Sequence, residues 1–134
     1  MAEDTVFTKI IKGDLPSCKI YEDDRTMAFM DIAPIQPGMV VVVTKNQIDN
    51  IEDLPDEDYQ ALWFAVKKII HQLRVVFPDK KKIGIQVEGF DVPHAHVKLF
   101  PVNSGYEFRA EHDSAQETDL AKLKSLAQRL RIDE

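Results

Sequence analysis

The chain has 134 residues, of which 44% are hydrophobic; this is enough to bury one core and predicts a single globular domain over residues 1–134. Its net charge of −6 argues against broad electrostatic capture of nucleic acid or of an anionic membrane, because neither partner would meet an extended positive field. Cys18, the only cysteine, excludes an intrachain disulfide and favours a reducing compartment.

The first half of the chain predicts a short helix, a hairpin and a buried strand. Its N-terminus, MAEDTVFTKIIKG, carries acids where a signal peptide needs positive charge, and no apolar run reaches the roughly 18 residues of a membrane span, so we expect a cytoplasmic protein. Asp4 and Thr5 are cap residues ahead of a helical apolar pattern that ends at Gly13. Charges at 22–25 predict the turn of a hairpin, and MVVVV at 39–43 predicts a central strand buried on both faces.

The second half predicts two amphipathic helices. Apolar residues at three- and four-residue steps across 55–77 indicate the main helix, which Pro78 ends. The tail at 117–131 has the same periodicity and predicts a final helix. Its apolar face is formed by Leu120, Leu123, Leu126, Ala127 and Leu130.

Two further strands are predicted between these helices. Ile83, Ile85 and Val87 alternate with polar or small residues, which is typical of a strand with one buried face. Another strand is predicted at 94–100. Together the elements predict an α+β fold, with a mostly antiparallel sheet of about five strands covered by helices.

The stretch VPHAHVKLFP at 92–101 carries the residues best suited to chemistry. Successive side chains of a strand face opposite sides, so Ala95, Val97 and Leu99 can enter the core while the alternate residues face a site. These alternate residues are His94, His96, Lys98 and Phe100. A neutral imidazole nitrogen is a nucleophile and a lysine is a fixed positive charge, so this face suits a ligand with phosphate oxygens.

Two other interpretations of the His-x-His pattern stay open. The histidines could lie exposed on a strand without a function, or they could bind a metal as a pair. Zinc usually needs three or four ligands, and the remaining histidines, His71 and His112, lie in a predicted helix and loop without ligand spacing. We therefore predict no metal site and no cofactor.

The stretch VPHAHVKLFP resembles the signature of the histidine triad (HIT) superfamily, in which three histidines alternate with apolar residues. Lys98 stands at the position of the third histidine. FTKIIKGDLP, IYEDDRTMAFMDIAPIQPG and VVVVTK are similar to the N-terminal half of the family in order and spacing. The resemblance therefore covers residues 4–101.

This resemblance implies a nucleotide site on each subunit of a homodimer whose two sheets join into one. It makes His96 the expected nucleophile, which attacks the α-phosphorus of a nucleoside phosphoramidate or dinucleoside polyphosphate to give a nucleotidyl-imidazole. Water then releases the monophosphate. His94, Lys98 and backbone N–H groups would stabilise charge on the phosphoryl oxygens, and Gly89 permits close approach of the backbone.

The same resemblance predicts which residues bind the rest of a purine nucleotide. Asp31 is expected to accept hydrogen bonds from the ribose hydroxyls. Five apolar residues are expected to enclose the base and sugar: Val6, Phe7, Ile10, Phe29 and Ile32. Alternatively, Asp31 caps a turn at a strand end, and Phe7 and Phe29 belong to the core.

The chain also departs from the family pattern. An ammonium group at Lys98 is charged near pH 7 and is not a proton acceptor, so two functions stay open. One is a hydrolase or transferase with covalent catalysis by His96; the other is a module that binds a nucleotide monophosphate. Thr5, Thr8 and Gln47 stand where many bacterial members carry the cysteines and histidine that hold zinc, which again predicts no zinc.

Overall fold

The computed structural model describes residues 3–111 and 119–132. The strands are β1 (Lys19–Glu22), β2 (Thr26–Met30), β3 (Val40–Thr44), β4 (Lys82–Gln86) and β5 (His96–Val102). The helices are α1 (Val6–Lys12), α2 (Asp56–Val76), α3 (Gly105–Phe108) and α4 (Leu120–Leu130), and a short 3₁₀ turn covers Ile51–Asp53. The five strands form one antiparallel sheet in the order β1-β2-β3-β5-β4, which confirms the predicted α+β fold.

Helix α1 begins and ends where its cap residues predict. The Thr5 side chain accepts a hydrogen bond from the Thr8 N–H, which satisfies one of the free donors at the helix start. Gly13 follows the helix with φ of 85°, and its N–H donates to the carbonyl of Ile10. The helix is thereby placed over one face of the sheet, where Phe7 packs against Phe29.

Strand β3 is the centre of the sheet and is buried on both faces, as predicted. It pairs with β2 on one side and with β5 on the other. Val40 and Val42 belong to the main core, whereas Val41 and Val43 pack with Phe7 under α1. A continuous β-branched run suits a strand that has protein on both sides.

The main core lies between the sheet and the two long helices. It includes Leu62, Ile69 and Leu73 of α2, and α4 adds a smaller set: Leu123, Ala127 and Leu130. The prediction that Leu120 lies on the apolar face of this helix is wrong, because Leu120 is 57% exposed at the helix start. Residues 117 and 118 of the predicted helix, and His112, lie outside the described residues.

Strand β4 buries only part of the face that its alternation predicts, because Ile83 packs against the main core but the later apolar residues are exposed. Ile85 is 43% exposed and Val87 is 44% exposed, because β4 is an edge strand. The buried residue is Gly84, and a Cβ placed there would lie 2.6 Å from the ring of Phe108. The aromatic side chain of α3 thus covers the face that was predicted to be polar.

Strand β5 begins at His96, two residues later than predicted. His94 lies in the bend before it, where its N–H donates to the carbonyl of Val92. Phe100 was predicted to face a site with His96, but it is fully buried and stacks on Phe108. The side of β5 that carries His96 is therefore open only near its start. Among the helices of the described ranges, none is long and apolar enough to cross a bilayer.

Candidate active site

His96 is held by the first residue pair of β5 and β3 and by a local hydrogen bond. Its backbone lies opposite Val43, and its ring is only 3% exposed. Nδ1 lies 2.6 Å from the carbonyl oxygen of His94. Because a carbonyl can only accept, Nδ1 carries the proton and donates it, which leaves the lone pair on Nε2.

Burial keeps this imidazole neutral. Removal from water disfavours the charged form and lowers the pKa of His96 from the usual histidine value. The hydrogen bond to the His94 carbonyl opposes that shift, and the positive charge of Lys98 adds to it. Phe7 presents its ring at 74° to the imidazole with the ring centroids 4.8 Å apart, so an aromatic contact also restrains the ring.

His94 is fully buried, and both of its ring nitrogens are bonded inside the protein. Nε2 lies 2.6 Å from the carbonyl oxygen of Thr44, so it carries the proton. Nδ1 lies 2.7 Å from the hydroxyl of Thr5. Burial lowers the pKa of His94, which keeps it neutral. A direct contact with phosphate oxygens, which the sequence predicted, would require one of these hydrogen bonds to break.

A cavity of about 460 Å³ opens in front of His96, and we call it the main cavity. It brings together eight of the ten predicted site residues: Val6, Phe7, Ile10, Phe29, Asp31, Ile32, His96 and Lys98. His94 and Gly89 do not line it. Most of the wall is apolar, and such a wall with a few polar groups is typical of a site for a small organic ligand.

Asp31 fits both interpretations that its sequence position allowed. Its Oδ1 accepts a hydrogen bond from the N–H of Ala33 at 2.8 Å, as in a turn. Its own N–H donates to the carbonyl of Met39, which fixes the residue at the end of β2. Within 3–111 and 119–132, no hydrogen bond engages Oδ2, so one carboxylate oxygen is available at the main cavity.

Lys98 and Glu88 give the main cavity opposite charges near the His96 ring. Lys98 is half-buried, and in the described part of the chain it forms no ion pair. Glu88 is ionised, because the N–H of Phe90 donates to its Oε2 at 2.9 Å and lowers its pKa. The cavity therefore presents both a cation and an anion to a bound ligand.

Gly89 lies beside His96 in a second, smaller cavity of about 140 Å³. It has φ of 83°, a conformation that glycine adopts without strain, so it shapes the loop between β4 and β5. Asp49, Glu52 and Glu88 also line this cavity. Gly89 is thus near His96, in a cavity that shares His96 and Glu88 with the main cavity.

The HIT domain family matches residues 12–105. The chain belongs to the HIT family. The protein hit of Bacillus subtilis is 32% identical over 96% of this chain and 96% of that protein. A purine nucleoside phosphoramidase of Escherichia coli K12 is 40% identical over 74% of this chain and 87% of the enzyme. A crystal structure of a Hit-like protein from Bartonella henselae matches with a TM-score of 0.83 and 29% identity, over 98% of each chain.

The zinc-associated positions of this HIT protein carry hydroxyl and amide groups that bond to one another. Thr8 donates its hydroxyl to Oε1 of Gln47 at 2.6 Å, and the N–H of Thr5 donates to the same oxygen at 2.9 Å. Within the described ranges, no group of three or more His, Cys, Asp or Glu side chains could hold a metal ion. The absence of zinc stays a prediction, which elemental analysis of purified protein would test.

Several lining residues of the HIT site were missed from the sequence. Two loops supply them: Leu15, Pro16 and Ser17 after α1, and Glu88, Asp91 and Val92 after β4. The first loop belongs to FTKIIKGDLP and its neighbourhood, which the family resemblance already included, so it could have been found. The second loop directly precedes His96, and Val92 opens the stretch VPHAHVKLFP, but residues 88–92 have no periodicity that indicates which side chains line a site.

Proposed function

We propose that this HIT protein is a hydrolase or nucleotidyltransferase that acts on purine nucleoside phosphoramidates or dinucleoside polyphosphates through a covalent nucleotidyl-histidine at His96. The observation that supports it most is the buried, neutral imidazole, with its proton held on Nδ1 and the Nε2 lone pair free. The printed activity of the Escherichia coli relative adds support for a phosphoramidate substrate.

The proposed reaction has two displacements at phosphorus. The Nε2 lone pair of His96 forms a bond to the α-phosphorus while the bond to the leaving amine or phosphate breaks, and the leaving group takes a proton from the surroundings. Water then attacks the same phosphorus, the bond to Nε2 breaks, and the monophosphate leaves with one proton released to solvent. Throughout, the Nδ1–H of His96 keeps its hydrogen bond to the His94 carbonyl, which stabilises the positive charge on the ring.

The nucleoside is proposed to occupy the apolar part of the main cavity. Phe7, Phe29 and the neighbouring aliphatic residues Val6, Ile10 and Ile32 would enclose the base and sugar. Oδ2 of Asp31 would accept a hydrogen bond from a ribose hydroxyl while Oδ1 keeps its bond to the Ala33 N–H. This arrangement would bind one mononucleotide unit.

Lys98, which we propose to replace the third histidine, leaves one competing function. Its half-buried ammonium at the cavity would bind phosphate oxygens firmly, yet it offers no proton acceptor at neutral pH. A module that binds a nucleotide monophosphate without turnover would need the phosphate-binding charge of Lys98 but no proton acceptor there. The two functions differ in whether a nucleotidyl group is transferred to His96.

Intact-mass spectrometry with an adenosine phosphoramidate separates these functions. The wild-type protein, denatured without acid during turnover, should gain the mass of one adenylyl group, mapped to His96. His96→Ala should lose the adduct and reduce turnover at least about a thousandfold, since the nucleophile is gone. His71→Ala, an exposed histidine of α2, is the matched control and should keep both. Binding without adduct or turnover on phosphoramidates and dinucleoside polyphosphates would establish the binding module instead.

We also propose that each chain acts as one domain and that two chains form a homodimer through the β4 edge. This edge carries the exposed apolar side chains of Ile85 and Val87. Exposed apolar residues on an unpaired edge strand are typical of an interface rather than of a solvated surface.

A further inference from the structure

Four side chains from three separate parts of the chain form one buried hydrogen-bond network behind His96. Thr5 and Thr8 come from the start of α1, Gln47 follows β3, and His94 precedes β5. The exposed fractions of Thr5, Thr8 and His94 are 8%, 9% and 0%. A buried polar network of this kind is stabilising only when each member has a partner.

The partners leave one consistent arrangement of protons. His94 donates from Nε2 to the Thr44 carbonyl, so its Nδ1 must accept, and the Thr5 hydroxyl is the donor at 2.7 Å. The Thr8 hydroxyl donates to Gln47 Oε1 at 2.6 Å. The Gln47 amide nitrogen donates to the carbonyl of Glu3 at 2.9 Å, which fixes the orientation of the amide. The hydroxyl protons of Thr5 and Thr8 and the ring proton of His94 therefore each have an acceptor.

This network fixes the position of His94, which strand pairing does not. His94 lies before β5, so its backbone is not positioned by strand pairing. Its ring is instead fixed between the end of β3 at Thr44 and the cap of α1 at Thr5, and the next N–H, that of Ala95, donates to the carbonyl of Ile48 at 2.7 Å. The carbonyl of this same residue is the acceptor for His96 Nδ1 at 2.6 Å.

We infer that Thr5, Thr8 and Gln47 are positioning residues for His96. Their hydrogen bonds hold the His94 ring, the ring holds the His94 backbone, and the His94 carbonyl keeps the His96 proton on Nδ1 so that Nε2 faces the main cavity as a base. The kinetic consequence rests on the proposed function; the tautomer of His96 does not. Phe7 of α1 contacts both imidazole rings, with centroid distances of 5.8 Å to His94 and 4.8 Å to His96, so displacement of the helix start would reach both.

The test replaces the Thr5 hydroxyl by a methyl group in Thr5→Val and measures the imidazole ¹⁵N shifts of His96 together with the kinetics of an adenosine phosphoramidate. The wild type should show the Nδ1–H tautomer alone. Thr5→Val should show a second population with the proton on Nε2, and kcat should fall about tenfold with KM within about twofold, because the nucleophile is misdirected while the nucleoside contacts remain. Thr5→Ser restores the hydroxyl and should restore both readouts.

Two controls separate positioning from stability. Thr5 is also the cap of α1, so the loss of its hydroxyl weakens that helix. Asp119 is the equivalent cap of α4, and its side chain accepts a hydrogen bond from the N–H of Lys122. Asp119→Ala should change neither the His96 tautomer nor kcat. If Thr5→Val does not fold, Thr8→Val keeps the helix cap at Thr5. It removes the hydroxyl bond to Gln47 and the two longer contacts, of 3.4 Å each, with the Thr5 hydroxyl and His94 Nδ1, and it should shift both readouts in the same direction.

The inference is overturned if Thr5→Val and Thr8→Val leave the His96 tautomer unchanged, whatever their stability. It is also overturned if Thr5→Val lowers kcat no more than Asp119→Ala in an active enzyme. A wild type that turns over no phosphoramidate refutes the proposed function, and the tautomer measurement then decides the inference alone.

Discussion

Burial gives His96 and His94 the same electrostatic consequence, although only His96 faces the main cavity. Both imidazoles have pKa values lowered by removal from water. A histidine with a lowered pKa in the folded state binds fewer protons than in the unfolded chain between the two pKa values. Stability therefore rises with pH across that window and is lost as the pH falls below the ordinary histidine value near about 6.5.

Activity and stability should both report this shift. We expect kcat/KM for a phosphoramidate to stay high until the pH falls below about 6.5, because His96 remains neutral there.

Urea unfolding should show a lower midpoint at pH 5.5 than at pH 7.5. In His96→Ala, the unfolding midpoint should depend less on pH over this interval, because one titrating group is absent. An acid limb of kcat/KM centred above pH 7 would contradict the prediction.

At the level of single residues, strand alternation predicted that His96 and Lys98 face a site, and family resemblance predicted Asp31 in the same site; all three line the main cavity. The sequence did not predict that His94 turns inward. Strand alternation holds only from His96, where β5 begins, and His94 lies before that strand. The deciding contacts join His94 to Thr5 and Thr44, which are distant in sequence. Local periodicity carries no information on such contacts.

Among the helices and strands, those that a few neighbouring residues determine were predicted well. The cap at Thr5 and the uniform apolar run of β3 each determine a structure by themselves. Strand β4 was predicted less well, since exposure of Ile85 and burial of Gly84 depend on edge position and on Phe108 of α3. Alternation shows that two faces differ, but not which neighbours cover them.

The turn between β2 and β3 offers a stability test at the scale of packed elements. Gly38 has φ of 86°, and a Cβ there would lie 2.7 Å from the ring of Phe77 at the end of α2. Gly13 has φ of 85° with nothing within 4 Å of such a Cβ. Left-handed backbone alone costs a non-glycine residue about 1–2 kcal/mol, and overpacking adds about 1–3 kcal/mol.

We therefore expect Gly38→Ala to lower the free energy of unfolding by about 2–5 kcal/mol and Gly13→Ala by about 1–2 kcal/mol. Chemical denaturation monitored by circular dichroism measures both. The matched pair isolates the clash with Phe77, because the two glycines have nearly the same φ. Equal losses for the two variants would show that the Phe77 ring moves aside without cost.

For the whole molecule, sedimentation equilibrium tests the proposed dimer. Ile85→Lys on the β4 edge should shift the protein to monomer and raise the dimer dissociation constant at least about tenfold. The substitution removes apolar burial at the interface and brings two like charges together. Leu120→Lys is the matched control, since Leu120 is also apolar and 57% exposed but lies on α4. A wild type that sediments as a monomer, or equal effects of both variants, would remove the β4 edge as the interface.

The two borders of the sheet differ in a way that limits assembly. On the border formed by β1, the carbonyl of Ile20 already accepts a hydrogen bond from the N–H of Ile132 at 2.8 Å, so the chain's own C-terminal segment occupies that side. Strand addition is thereby disfavoured at β1, and we expect it at the β4 edge. In the proposed dimer, two copies pair through their β4 edges, so neither copy keeps an open β4 edge. The product is then a closed pair instead of a filament.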